Sequence, residues 1–262
     1  MNSNILALFI PWLYTLVTRC DNSVKKVLDY ILLNDVIPSL ILLYFIFKPS
    51  IIFIVIAAIL VYTYRQLLYE VGYIVNDLIA LREKDKGTMR FNVQLIREYL
   101  PYAIVMRSIL AVAIIYTSYF FKITYNILLL ALYTLLLIAV FIVHNLVTDT
   151  YFRIGTYTAL QYIRYTPMIF TIFAKFPEAL LYILLITPFV YRRSVKYVAR
   201  KVFGSEQLYN SPSFDLSIHL MTALIIISIL IQVPGYIEII VVTVLMTIAV
   251  AFYLVIRKYL RS

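Results

Sequence analysis

The sequence predicts an all-α protein, a polytopic membrane bundle of eight or nine transmembrane helices. Of its 262 residues, 63% are hydrophobic and 14% are charged, whereas soluble domains are near half apolar with about a quarter charged. The mean hydropathy is +0.93. The apolar segments are about 15–25 residues long, which is typical of membrane helices; barrel strands would be roughly 10 residues long with alternating hydrophobicity. We therefore predict one membrane-embedded helical domain over residues 1–262.

Eight apolar runs approach the length of about 20 residues that crosses a bilayer. They lie at 28–47, 50–75, 99–120, 123–143, 156–174, 177–191, 216–233 and 236–256. Residues 1–20 hold a shorter apolar run that contains Pro11 and Trp12. We predict either an interfacial helix or a short membrane helix there, and the second alternative would supply the ninth span.

The basic residues fall mainly in loops on one side of this layout, which predicts that side to be cytoplasmic. Of the 23 bases, 17 lie on that side and Lys48, Lys122 and Lys175 lie on the other. The main polar loops on the basic side are 76–98, 144–155 and 192–215. We therefore predict an integral protein of the cell membrane with these loops in the cytoplasm.

The net charge of +10 does not indicate nucleic acid as a partner, because the bases lie in short loops where topology and anionic lipid head groups account for them. Membrane lipid is the partner that this charge predicts. The single cysteine, Cys20, excludes an intramolecular disulfide and a cysteine-based metal site.

A polar stripe runs along the second predicted span. Glu70 and Asp77 are seven residues apart and share a helix face, and Arg65 and Asn76 share a neighbouring one. Ionisable groups at membrane depth are costly, so they indicate a substrate pocket, or else an Arg65–Glu70 structural pair or side chains that snorkel to water, and these alternatives stay open. Asp35 in the first span would either join the same wet cavity or make an ordinary interhelical hydrogen bond.

The stretch Tyr69–Arg90 carries this stripe into the densest mixture of acids and bases in the chain. Its Asn76-Asp77 pair, at the end of an apolar helix and followed by acids and an arginine, resembles the first aspartate-rich motif of the UbiA-type intramembrane prenyltransferases. That family motif reads Asn-Asp-x-x-Asp-x-x-x-Asp. Here the third letter falls on Ala80 and the fourth on Lys84, between Glu83 and Asp85. The resemblance is to a diverged member with a UbiA-like fold.

The resemblance implies a site for an isoprenoid diphosphate at the cytoplasmic end of the bundle. Asn76 and the carboxylates of Asp77, Glu83 and Asp85 would hold Mg²⁺, and nearby bases would neutralise the phosphate oxygens. The residues expected to bind the substrate are Arg65, Glu70, Asn76, Asp77, Arg82, Lys86, Arg90 and Arg153. No catalytic residue is identified.

The second aspartate-rich motif of that family should follow the sixth span, where this chain instead has the basic segment 191–203. Arg192, Lys196 and Arg200 share one face of it, opposite a face of valines. This pattern predicts a helix that lies on an anionic membrane surface.

Two functions from different classes follow. The first is transfer of a prenyl group from an isoprenoid diphosphate to a lipid-soluble acceptor. The second is non-catalytic binding of isoprenoid or other lipid, or a scaffold role, on the same fold. A small transporter is a third and weaker hypothesis, because few spans have a central Gly or Pro interruption and no repeated half is visible.

Overall fold

A computed structural model describes residues 3–20, 23, 36–80, 93–122, 127–167, 169, 176–205, 207–208, 211–232 and 235–259. Across these residues the chain is helical and contains no strand. The helices in order are α1 (Ser3–Phe9), α2 (Leu13–Arg19), α3 (Ile37–Phe47), α4 (Ile51–Ala80), α5 (Val93–Phe120), α6 (Ile127–Leu146), α7 (Thr150–Tyr165), α8 (Phe176–Lys201), α9 (Pro212–Ile231) and α10 (Ile237–Tyr259).

The all-α prediction is confirmed for the described residues, and each predicted span overlaps one of these helices. Within the described part of the chain, four helices are long and apolar enough to cross a membrane: α4, α5, α6 and α9. Two shorter apolar stretches lie in α3 and α10. These helices support the prediction of a helical membrane protein, while the total of eight or nine spans stays a prediction.

Two helix starts show why the chain changes direction where it does. Asp149 precedes α7, and its side chain accepts a hydrogen bond from the Phe152 backbone N–H at 2.7 Å. Ser211 precedes α9, accepts from the Phe214 N–H at 3.2 Å, and is followed by Pro212. Short oxygen-bearing side chains satisfy the first free N–H groups of a helix, and proline suits its first position, so these starts are written locally in the sequence.

The described residues form two compact units. The first unit contains α1, α2, α4, α5 and α6. In it α4 packs against both α5 and α6. Tyr64 on α4 hydrogen-bonds Thr134 on α6 at 2.6 Å, and Asn145 near the end of α6 donates to the Gly72 carbonyl at 3.5 Å. Residue numbers rise together along the two helices, so α4 and α6 are parallel and their C-terminal ends are neighbours.

Helices α1 and α2 belong to the core of the first unit. Ala7, Leu8 and Tyr14 are fully buried against Ile74 on α4 and a cluster on α5. The N-terminal segment is therefore two short packed helices separated at residues 10–12. Whether it lies at a membrane interface or within the membrane stays a prediction.

The second unit contains α7 to α10 with nearly all of α3. Helix α8 packs against α7 on one side and α9 on the other, and α9 packs against α10. Tyr157 stacks on Tyr197, and Tyr182 donates to the Tyr165 carbonyl, so α7 and α8 are antiparallel.

Up to Lys201, the basic segment 191–203 is the last part of a longer helix, and its place on a membrane surface stays a prediction. Helix α8 runs without interruption from Phe176 to Lys201, through Pro188. Arg192 is only 5% exposed, because it lies where α8 packs in the unit. The charged face that the pattern placed on a membrane surface therefore faces neighbouring helices in part. The predicted polar loop 192–215 is helical at both ends, up to Lys201 and from Pro212.

Candidate functional site

The structure describes five of the residues that the sequence assigns to a site: Arg65, Glu70, Asn76, Asp77 and Arg153. The others lie outside the described residues: Arg82, Glu83, Asp85, Lys86 and Arg90, and so does Asp35. The polar stripe of α4 is present as predicted. The stripe faces the N-terminal segment, and the sequence analysis did not predict that contact.

Glu70 is fully buried, and other groups of the protein donate hydrogen bonds to both oxygens of its carboxylate. One oxygen, Oε1, accepts from the Thr15 backbone N–H at 2.8 Å and from the Gln66 side chain at 3.3 Å. The other, Oε2, accepts from Arg107 Nη1 at 2.8 Å and from the Trp12 backbone N–H at 3.2 Å. A carboxylate has about four acceptor positions, so Glu70 is satisfied within the protein.

Arg107 on α5 is the counter-ion of Glu70, and sequence reasoning did not place it in a site. It is 2% exposed, and its guanidinium also donates to the carbonyls of Leu8 at 2.7 Å, Ala7 at 3.3 Å and Ile10 at 3.4 Å. An arginine in the middle of an apolar span must find partners. That signal was available in the sequence, but the identity of the partners was not.

Arg65 and Asp77 extend the stripe on either side of Glu70. The Arg65 guanidinium lies over the Tyr62 ring at 4.8 Å and the Trp12 ring at 5.8 Å, and it donates to Gln66 at 3.3 Å. Asp77 accepts a hydrogen bond from the Tyr14 hydroxyl at 2.6 Å. Glu70 and Asp77 thus share a face of α4, as predicted, and that face meets α1 and α2. Of the two alternatives for the stripe, these contacts favour a structural role for Glu70.

The predicted Mg²⁺ site is not tested by these contacts, because Glu83 and Asp85 lie outside the described residues. Among the residues that the structure describes, no group of three or more His, Cys, Asp or Glu side chains is arranged to hold a metal ion.

A second polar cluster lies in the second unit, around the middle helix α8. Arg193 points toward α7, where it donates to Gln161 at 3.3 Å and lies over the Tyr165 ring at 5.7 Å. Lys196 points toward α9 and pairs with Asp215 at 3.0 Å. Gln161 and Asp215 are both 3% exposed, so this cluster is inside the unit.

Two more arginines belong to this cluster. Arg164 is 4% exposed and lies three residues after Gln161, on the same side of α7. Arg192 is electrostatically coupled to His219, which is 1% exposed and follows Asp215 by one turn of α9. We define the cationic cluster as Arg164, Arg192, Arg193 and Lys196.

The cationic cluster carries four positive charges against one described carboxylate, that of Asp215. The other acids of this unit whose side chains the structure describes are Asp149 and Glu178. Asp149 caps α7 twelve residues before Gln161, which is about 18 Å along the helix, and Glu178 precedes Arg192 by fourteen residues, about 21 Å. Four basic side chains are thus gathered around this carboxylate, and Arg164 and Arg192 among them are buried.

Arg153 lies at one end of the same unit, beside the stacked pair of Tyr157 and Tyr197. The two rings are 4.2 Å apart and 10° from parallel. Burial raises the pKa of the Tyr197 phenol above its ordinary value, while the charges of Arg153 and Arg200 act in the opposite sense. The Arg153 Nε is buried and makes no hydrogen bond to any described residue. Arg153 therefore adds a cation at the rim of the surface on which α7 and α8 meet.

No family model matches this chain, and the comparisons with curated proteins and with solved structures return no significant match. The class of this protein is therefore inferred from its own sequence and structure. The long apolar helices define a helical membrane protein. Among the residues that the structure describes, two polar centres are the Glu70–Arg107 pair of the first unit and the cationic cluster of the second.

Proposed function

We propose that this protein binds the charged head group of an anionic membrane amphiphile at the cationic cluster of the second unit. The observation that supports this is the gathering of four basic side chains around Gln161 and Asp215, two of which, Arg164 and Arg192, are buried. A phosphate or diphosphate head group suits such a cluster, because its oxygens accept charge-assisted hydrogen bonds from arginine and lysine side chains. This is the lipid-binding hypothesis of the sequence, now assigned to specific residues.

The chemistry of these side chains suits phosphate. Arginine presents a planar fork of donors that matches phosphate oxygens in pairs, and lysine supplies a compact charge. Arg192 and Lys196 are one turn apart on α8, and Arg193 extends the positive charge toward α7. The apolar helices around the cluster would accept the hydrocarbon tail of the same ligand.

Transfer of a prenyl group is a second hypothesis, and it concerns the first unit. It rests on the resemblance around Asn76-Asp77 and on Mg²⁺ held by Asp77, Glu83 and Asp85. The cationic cluster belongs to the second unit and does not bear on that hypothesis.

The test is ligand binding by the full chain in nanodiscs of neutral phosphatidylcholine. The probes are geranylgeranyl diphosphate, phosphatidic acid, inorganic diphosphate and the uncharged alcohol geranylgeraniol. We expect both anionic amphiphiles to bind more tightly than the alcohol, and inorganic diphosphate to bind weakly because it has no tail. Equal affinity for the alcohol and the diphosphate would contradict the proposal.

A matched pair of variants locates the site. Arg192→Gln removes a buried charge from α8, and we expect roughly ten- to hundredfold weaker binding of the anionic amphiphiles. Lys201→Gln removes the same charge from an exposed position on the same helix and should leave the affinity nearly unchanged. Arg192→Lys, which keeps the charge, should lose less than Arg192→Gln. Equal effects of Arg192→Gln and Lys201→Gln would show that binding reflects net charge alone.

A further inference from the structure

The N-terminal segment Ser3–Cys20, which we call the strap, depends on the rest of the first unit for its structure. Its two helices have seven residues each. Helices of this length are not stable alone in water, since roughly 12–15 residues are needed even for good helix formers. Where it is exposed to water, the strap would therefore need its contacts with α4 and α5 to keep this shape.

The break between the two helices is strained. Trp12 has a left-handed backbone, with φ 73° and ψ −29°, which a bulky side chain rarely adopts. Three contacts hold it: its backbone N–H donates to Glu70, its indole Nε1 donates to Thr63 at 3.4 Å, and the Arg65 guanidinium lies over its ring. Undocking would relieve the backbone strain at Trp12. These three contacts therefore stabilise the docked strap against that strain.

The Glu70–Arg107 pair meets the broken helix with a fixed polarity. The last carbonyls of α1 carry partial negative charge, and three carbonyls at that end point to the Arg107 guanidinium. The first N–H groups of α2 carry partial positive charge, and two at that end point to the Glu70 carboxylate. We call this ion pair with its helix-end contacts the clasp.

The docked strap covers the polar stripe of α4. Glu70 bonds to Trp12 and Thr15, and Asp77 bonds to Tyr14, so the acids that the sequence assigned to substrate binding face the strap. We infer that the strap is a releasable cover over the stripe and that the clasp controls its release. In the closed state Glu70 and Asp77 are hydrogen-bonded within the protein, and opening exposes these carboxylates and Arg107 together. This inference concerns the first unit and does not depend on the proposed lipid site.

Cys20 is a native reporter of this motion. It is the only cysteine of the chain, directly follows α2 and is 0% exposed in the docked state. The experiment measures the rate at which a membrane-permeant maleimide labels Cys20 in the full chain in nanodiscs. We expect slow labelling of the wild type and roughly ten- to hundredfold faster labelling of Glu70→Gln, because charged hydrogen bonds to two backbone N–H groups and to Arg107 are weakened. Glu70→Ala should be labelled faster still.

Thr134→Val is the matched control. It removes the hydrogen bond between Tyr64 and Thr134, which joins α4 to α6 and does not involve the strap. We expect its labelling rate to stay within about twofold of the wild type. The thermal midpoint of each variant is measured in parallel. Labelling of Glu70→Gln at the wild-type rate would overturn the inference, and so would faster labelling that Thr134→Val reproduces at equal thermal destabilisation.

Tyr14→Phe keeps the inference testable where Glu70 variants do not fold. It removes the hydrogen bond from Tyr14 to Asp77 and leaves the ring in place. Because a hydrogen bond from a neutral phenol to a carboxylate is lost, we expect labelling of Tyr14→Phe to be several-fold faster than labelling of the wild type. An unchanged rate in Tyr14→Phe, with Glu70→Gln unable to fold, would overturn the inference, since the pair would then serve folding and not release.

Discussion

Glu70 Oε2 and Arg107 Nη1 lie 2.8 Å apart, and each of the two side chains also binds one end of a broken helix. The carboxylate meets N–H groups and the guanidinium meets carbonyls. The pair is thus oriented by the backbone of the strap and is more than a contact between opposite charges.

This orientation predicts that exchanging the two charges fails. Glu70→Arg together with Arg107→Glu restores an opposite-charge pair, but the new arginine would face N–H groups and the new glutamate would face carbonyls. Each single change should cost about 3–5 kcal/mol, as for a broken buried pair. We expect the double variant to be no more stable than the worse single variant, measured as the loss of the monodisperse peak on heating. Recovery to within about 1 kcal/mol of the wild type would show that the polarity is unimportant.

Substitution of Asp77 distinguishes the prenyltransferase hypothesis from the lipid-binding hypothesis. If carboxylates hold Mg²⁺ on a diphosphate, metal and ligand strengthen each other's binding. Binding of geranylgeranyl diphosphate should then weaken in chelator, and Asp77→Asn should abolish that dependence. Asp149→Asn is the control, because asparagine replaces aspartate well as a helix cap. Affinity that is indifferent to chelator in wild type and Asp77→Asn alike would rule out the prenyltransferase hypothesis.

Asp215→Asn should strengthen anion binding, opposite in sign to Arg192→Gln. It removes the described carboxylate beside the cationic cluster and releases Lys196 from its 3.0 Å ion pair. We expect the affinity for phosphatidic acid to rise by a few-fold up to roughly tenfold. The control is again Asp149→Asn, which removes an acid about 18 Å away along α7. Weaker binding in Asp215→Asn would argue that Asp215 positions Lys196 for the ligand.

The loops on the basic side should be labelled from one face of the membrane. Within the first unit the ends of α4 and α6 are neighbours, and within the second unit the start of α7 lies beside the end of α8. In a Cys20→Ala background, Thr148→Cys and Lys201→Cys are expected to react with an impermeant maleimide only from the cytoplasmic side. Lys122→Cys, at the end of α5, should react from the other side. Thr148→Cys and Lys201→Cys labelled from opposite faces would refute the predicted topology.

Gly72 permits α4 and α6 to approach, and this predicts a stability difference between two glycine substitutions. A Cβ at residue 72 would lie 2.6 Å from the Phe141 ring, so Gly72→Ala should destabilise the first unit by about 1–3 kcal/mol. Gly155, inside α7, has nothing within 4 Å of its Cβ position, and Gly155→Ala should stabilise by about 0.5–1 kcal/mol. Thermal unfolding of both variants checks the prediction. An unchanged midpoint for Gly72→Ala would mean that Phe141 moves freely aside.

The sequence alone determined the features that depend on neighbours along the chain. Apolar length predicted where helices lie, and the caps Asp149 and Ser211 are local signals. Helical periodicity placed Glu70 and Asp77 on one face, and they share it. Such features are encoded within a few turns, because backbone geometry fixes which residues of one helix point the same way.

Only the tertiary structure decided what that face meets. Glu70 pairs with Arg107, 37 residues away, and binds the break of the strap, 58 residues away. Likewise α8 turns Arg192 inward, although its periodicity alone fits a membrane surface equally well. Periodicity gives the direction of a side chain relative to its own helix. The partner depends on which helices pack together, and that choice is made by burial and charge summed over the whole unit.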